Sequence, residues 1–519
     1  MLEQQNTYNQ QMPPQMGQGM MPPPIPPRDQ WQRRAMNAIG RAKSAFPNWL
    51  SQYAISVYIV ALALVSVMYS SFSMPWYYML SGVMAVTVFF LYGGHLAKKT
   101  SILVIRSAKI FERRIFIVAF LLRIFWMLLI YSIFMQTYGD AFGFDNADAQ
   151  FYHDIGVEFA DAIRNGNFKA LFQKDNEIID VSDLGYASYV GFVYSLTSNN
   201  IIILRLLKCI LSACTVLLIN RLACRNFGQK TARISAIFCA LWPNFWYYCG
   251  THLKETEMVF LAVLFVEQAD QMLRSRQFTA WKVIPVLLIA AAMFTFRTPL
   301  AIVALLALIF SVVMSSSKVV KWGKRIIVGG LAVMLIGVTM GNRIKEQAYE
   351  MVSLVQSGNQ QSSIEEKMNS EHGNVLAKYA GSAVFAPLIF SVPFPTMVRP
   401  YDGQEVQQLL NGGNAIKSIM SGFVIFALVV LLLSGDWRNH LLPLSFMLGY
   451  LVVLTMSSFA HSERFHQPAM PFEFMFAAYG LSMALAKLKY KRWFTYWCGV
   501  MFVCAIVWNW FKLAGRGLV

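Results

Sequence analysis

Three carboxylates, Asp140, Asp145 and Asp148, fall within the short stretch Gly139 to Tyr152, directly after the apolar run Ile115 to Phe134. That run is long enough to cross a bilayer. The acids are therefore expected just beyond a membrane helix, where a carboxylate can act on something presented by lipid. Other stretches put cations at the ends of apolar runs: Thr251-His-Leu-Lys-Glu-Thr, with Lys254 and Glu255; Phe-Thr-Phe-Arg-Thr-Pro around Arg297; and His461-Ser-Glu-Arg-Phe-His-Gln-Pro, with Arg464 and His466.

Carboxylates facing several cations suit the transfer of a sugar carried on a lipid phosphate. The phosphate departs without a general acid, because its conjugate acid is already strong. The site then needs a carboxylate base for the acceptor hydroxyl, and Arg, Lys or protonated His for the charge that develops on the phosphate. A glycosidase would instead place two carboxylates across the scissile bond. Each residue also has an ordinary reading. A loop Asp is usually just solvated, Lys254 and Glu255 can anchor a helix at the interface, Arg297 can snorkel, and His461 and His466 can pack without titrating. Arg123, inside an apolar run, reads as structural. Convergence of acids and cations from distant loops on one face favours chemistry.

The elements that must position these residues are membrane helices. The chain has 519 residues, 56% of them apolar and 14% charged, which defines a polytopic membrane protein. Thirteen spans are expected, near 52–71, 77–96, 115–136, 201–220, 232–249, 256–273, 281–296, 298–314, 326–341, 416–434, 441–458, 469–486 and 493–511. Gly185 to Leu196 is too short and too polar to span and is expected to lie on the surface as a juxtamembrane helix. The fold class is thus an all-α polytopic membrane protein with two large external loops, 138–200 and 342–413, carrying juxtamembrane helices. In the second loop, Phe385 to Pro395 is apolar but broken by prolines, and is expected to dip into the outer interface.

Charge orients the bundle. With the N-terminus inside, the inner loops carry Lys98, Lys99, Arg221, Arg225, Arg274, Lys324, Arg438 and Lys489, as the positive-inside rule requires. The segment 138–183, with ten acids and three bases, falls outside. The net charge of +17 is therefore explained by topology, and nucleic-acid binding is excluded as the reading. The seven cysteines lack CxxC spacing and read as small core residues.

Four regions follow. Residues 1–50 are a Pro/Gln/Met-rich tail, expected to be disordered and cytoplasmic, with a basic segment and possible use as a docking site for a protein partner. Residues 51–114 form an accessory two-span hairpin and basic loop, 115–486 the catalytic core, and 487–519 the last span and C-terminus. No cleavable signal sequence opens the chain, so the first membrane helix is expected to insert itself.

These residues resemble a family. Asp148-Ala-Gln-Phe-Tyr152 is similar to the Asp-x-x-x-Tyr element of GT-C-type membrane glycosyltransferases, the group that includes protein O-mannosyltransferases and the lipid A aminoarabinose transferase. Leu204-Arg-Leu-Leu to Arg221-Leu-Ala-Cys-Arg-Asn-Phe-Gly, Trp242-Pro-Asn-Phe leading into His252-Leu-Lys-Glu-Thr, and Arg464-Phe-His-Gln-Pro-Ala-Met-Pro resemble later elements of that group in the same order. The resemblance covers roughly residues 115 to 486. It implies inverting transfer from a polyprenyl-phosphate sugar to an acceptor glycan, lipid or protein at the external face of a bacterial inner membrane. It implies Asp148 as base, with Asp145 the alternative, and Lys254, Arg297, Arg464 and His466 as candidates for the donor phosphate. The Glu that often follows the catalytic Asp is Ala149 here, so a second carboxylate must come from elsewhere, with Glu255 the candidate; Asp148 and Glu255 could share a divalent cation, although no ligand cluster demands one. The competing readings are a polysaccharide polymerase or ligase using a lipid-diphosphate donor, and a lipid-linked sugar transporter. A transporter should show inverted repeats and place its ionisable residues near the bilayer midplane, whereas no repeat is found and the unusual charges cluster at the ends of the runs.

Overall fold

The computed structural model describes residues 47–167, 181–275, 280–314, 390–399, 405–455, 462–484 and 490–514, with a short strand pair between 173 and 178. The N-terminal tail, the expected span 326–341, the first half of the second loop and His461 lie outside the described residues. The architecture is helical. Among the described residues, six helices are long and apolar enough to cross a membrane: α1 (Asn48–Met68), α2 (Trp76–Lys99), α3 (Ala108–Thr137), α6 (Ile201–Leu241), α12 (Asn411–Ser434) and α16 (Tyr490–Ala514). Shorter apolar helices complete the body, including α9 (Ala280–Phe296) and α10 (Thr298–Met314).

Helix α6 opens on Asn200, whose side chain accepts from the backbone N–H groups of Ile202 and Ile203, a standard N-cap. It is not one straight rod. Gly228 has φ 82°, in the left-handed region that glycine tolerates. The buried guanidinium of Arg123 on α3 bonds both Ser212 (2.6 Å) and the carbonyls of Cys239 (3.2 Å) and Ala240 (3.4 Å). In a straight helix Ser212 and Ala240 would be about 40 Å apart. The chain therefore turns back at Gly228 and crosses twice, as the separate apolar runs 201–220 and 232–249 require. Arg123 is the structural clamp of this hairpin. After Trp242 the short α7 (Pro243–Gly250) begins with proline at its first position, where no N–H is needed.

Small residues set the close helix crossings. A Cβ added at Gly480 on α15 (Met470–Ala484) would stand 2.0 Å from the Phe423 carbonyl oxygen of α12. Gly412 of α12 meets the backbone of Gly82 on α2, its added Cβ lying 2.7 Å from the Gly82 oxygen. Without hydrophobic drive between helices in lipid, such contacts supply the packing. The Tyr58 hydroxyl donates to Asn411, whose amide donates to the Tyr78 carbonyl (3.2 Å), so the first two helices are tied to the main body.

The first external segment folds as two helices, α4 (Asn146–Arg164) and α5 (Val181–Thr197), linked through the strand pair Gln173–Lys174 and Glu177–Ile178. Contacts advance together along both: Tyr152 with Asp183, Gly156 with Val190, and Arg164 with Tyr194. The helices therefore run parallel, with the hairpin segment returning the chain. Of the second loop, residues 390–399 are irregular and largely buried and 405–413 mostly helical, while 385–389 of the segment expected to dip into the outer interface lie outside the described residues. Asn509 of α16 accepts from Met397 N–H (2.7 Å) and donates to Pro395 O (3.1 Å), and the Ser391 and Ser421 hydroxyls pair at 2.7 Å. Non-helical backbone among membrane helices is stable only when protein groups satisfy it in this way.

Candidate active site

Helix α8 (Glu255–Arg274) separates two polar ends, about 28 Å apart along its axis. At its C-terminal end Arg225 bridges Glu267 (2.8 Å) and Asp270 (2.9 Å), and Arg274 joins Asp270 (2.9 Å) to Asn226 and the Asn439 carbonyl. His440 bonds Asn226, and burial lowers its pKa to about 4. This network is fully paired and locks the turn at Gly228 to α8.

The N-terminal end of α8 gathers most of the residues singled out in the sequence. Arg464, on the one-turn helix α14 (Glu463–His466), lies between two carboxylates from distant segments. Its Nε donates to Glu255, and its Nη1 to Asp148 Oδ2 at 2.5 Å. Burial opposes charge on Arg464, but Glu255 and then Asp148 outweigh it and hold the guanidinium above its ordinary range. Glu255 is fully buried, whereas the Asp148 side chain is 58% exposed. Asp148 is therefore open to solvent while anchored at one oxygen.

Around this bridge stand further cations. Lys254 pairs with Asp183 of α5, which also accepts the Tyr152 hydroxyl at 2.7 Å. Tyr152 lies one turn after Asp148 on α4, and Lys254 stands 5.7 Å over its ring. Arg297, in the turn between α9 and α10, stacks on Phe465 at 4.1 Å, beside Arg464. Among the described residues Arg297 has no carboxylate partner within ion-pair distance.

Beneath the surface the turn 251–254 is held from below. Lys208 of α6 is buried and donates to the carbonyls of Thr251 (3.0 Å) and Leu253, 3.6 Å from Glu257. His252 is buried among Phe142, His153, Tyr186 and Tyr194. Burial, with Lys208 and Arg205 nearby, depresses its pKa well below the ordinary 6.5.

Other expected site residues lie apart from this centre. His466 turns inward, 2.8 Å from Lys417 of α12, which lies 4.0 Å from Glu473 of α15. Asp140 accepts from the N–H groups of Phe142 (2.7 Å) and Gly143 (3.1 Å) and shapes the turn before α4. The Asp145 side chain lies outside the described residues. Asp148 and Glu255, considered as a metal pair, are joined through Arg464, and among the described residues no cluster of three or more metal-ligating side chains occurs.

Sequence reading missed Asp183, which looks like any acid in a loop. It also missed Lys208, Lys417 and Glu473, although a signal existed: each is a charge inside an apolar run, where burial demands a partner. No curated protein matches the chain. Residues 186–340, which include Lys254, Glu255 and Arg297, match the family model described as Dolichyl-phosphate-mannose-protein mannosyltransferase. Over that stretch this integral membrane chain is similar to a family of glycosyltransferases, and glycosyl transfer is the activity the match indicates.

Proposed function

We propose that the chain transfers a sugar from a polyprenyl-phosphate carrier to an acceptor nucleophile at the outer face of the membrane. The carrying observation is the bridge from Arg464 to Asp148 and Glu255, which joins three distant segments at one end of the bundle beside Lys254 and Arg297. In this reading Asp148 takes the proton of the acceptor hydroxyl. The oxygen attacks the anomeric carbon from the side opposite the phosphate, so configuration inverts. The bond from that carbon to the phosphate oxygen breaks, and its electron pair leaves with the polyprenyl phosphate. Arg297, and Lys254 if Asp183 releases it, meet the charge that develops there. Arg464 holds Asp148 in place and is itself held by Glu255. The name of the matched family makes mannose the first sugar to test.

The test is purified protein incubated with radiolabelled polyprenyl-monophosphate sugars, comparing wild type with Asp148→Asn. The expected outcome is release of polyprenyl phosphate, reduced roughly 10²–10⁴-fold by the substitution with an unchanged melting temperature, because Asp148 is exposed. Turnover of a diphosphate-linked oligosaccharide, with no monophosphate donor used, would replace this reading with a polymerase or ligase.

A further inference from the structure

Lys417, His466 and Glu473 form a second charged cluster, enclosed by helices and apart from the candidate active site. They are 2%, 3% and 2% exposed. Lys417 stands about 9 Å along α12 from its first residue. A cation inside a membrane helix is expensive and marks a use, and an apolar side chain of similar volume would pack there at less cost. Its ammonium donates to the Val392 carbonyl of the second loop and to His466 Nδ1 (2.8 Å), with Glu473 at 4.0 Å. These partners belong to three separate segments: 390–399, α14 and α15. The Ser418 hydroxyl, one residue on, donates to the Ser391 carbonyl (3.1 Å) and closes the same joint. Because an ammonium can only donate, Nδ1 accepts, and His466 is neutral with its proton on Nε2.

This joint bears on Arg464. Helix α14 has four residues, a single turn that cannot hold its own place. Residues two apart on a helix point about 200° apart, so Arg464 and His466 face opposite sides. The Tyr450 hydroxyl of α13 (Leu441–Thr455) donates to the Phe465 carbonyl (2.9 Å) and pins the backbone between them at one point, which leaves rotation about that point open. With His466 seated on Lys417, Arg464 faces Asp148 and Glu255.

We infer that Lys417, acting through His466, is a positioning residue that sets the rotation of α14 and so aims Arg464 at Asp148. Its value for sugar transfer rests on the function proposed above, whereas the aim itself does not. His466 is then an internal strut and holds no phosphate.

The test reads the aim directly. Asp148→Cys puts a thiol at the exposed end of the bridge, where a neighbouring guanidinium favours the reactive thiolate. The protein in detergent is treated with a maleimide at pH 7, and the rate at position 148 is read by mass spectrometry. In that background Arg464→Ala should slow the reaction roughly tenfold. His466→Leu and, separately, Lys417→Met combined with Glu473→Gln should slow it to a similar degree although Arg464 is intact. His466→Asn keeps an acceptor where Nδ1 stands and should react as fast as the parent. A merely structural joint would lower the melting temperature and leave the rate unchanged, and that result would overturn the inference. So would an unchanged rate in Arg464→Ala, since there would be no bridge to aim. Should the Lys417 combination not fold, His466→Leu against His466→Asn decides alone. The rate needs no sugar donor, so the two readings fail separately. With Asp148 intact, His466→Leu should lower kcat for sugar transfer and leave the donor KM nearly unchanged. Slowed thiol reaction without any turnover removes only the proposed reaction, and turnover with unslowed thiol reaction removes only the positioning role.

Discussion

At the residue scale, the central fact is that Glu255 is completely buried and neutralised by an arginine that also holds the exposed Asp148. Removing one partner of such a pair costs about 3–5 kcal/mol, because the other charge is left buried and unpaired. Arg464→Ala should therefore lower the melting temperature in detergent markedly. Adding Glu255→Gln should restore most of it without restoring sugar transfer. An unaffected melting temperature in the single variant would show that the bridge carries no structural load. His252 gives a pH signature. Its pKa is depressed in the folded state, by burial first and then by Lys208, Arg205 and His153, so it stays neutral there. Above about pH 6.5 it is neutral in both states and stability is complete. As pH falls below that value the unfolded chain binds a proton that the folded chain does not, and stability drops by up to about 1.4 kcal/mol per pH unit. His252→Gln should flatten that acid limb, read as melting temperature between pH 7.5 and 5.5. The parts due to His153 and His440, which burial also depresses, should remain.

At the scale of elements, the helices follow the apolar runs closely, because a run of the right length has no other stable conformation in lipid. The packing between them depends on single glycines. Gly480→Val would drive a side chain into the Phe423 carbonyl, a contact that backbone cannot relieve. A cost at or above about 3 kcal/mol is expected, seen as loss of the monodisperse peak on size exclusion, whereas Gly499→Ala, which meets nothing within 4 Å, should be silent. The parallel pair α4 and α5 was legible only as a polar segment with one short apolar stretch. Its direction depends on Gly156 and Gly191, which let side chains of the opposite helix approach.

At the scale of the whole molecule, the two polar ends of α8 divide the chain into a face with the bridged acids and a face with the paired cations around Arg225. Cysteines placed at exposed Asp161 and exposed Arg438 should react from opposite sides of the membrane. In intact cells an impermeant maleimide should label Asp161→Cys at once, and Arg438→Cys only after permeabilisation. The native cysteines are buried or half-buried and contribute little background. Labelling of both from one side would reject the proposed orientation.

The sequence by itself determined the helical membrane class and the order of the apolar elements, and it suggested the type of chemistry. Hydropathy, loop charge and the Asp148-to-Tyr152 element are local properties that need no packing to be read. It also put Asp148, Lys254, Glu255, Arg297 and Arg464 in view as unusual residues at the ends of runs. Only the tertiary structure decided which of them meet. Arg464 reaches Asp148 across 316 positions of chain, while His466, two residues further on, turns away to Lys417. The physical reason is that ion pairing in a low-dielectric body is set by distance in space. Spacing along the chain can propose a partner, but helix packing places Asp183 on Lys254 and Glu255 under Arg464.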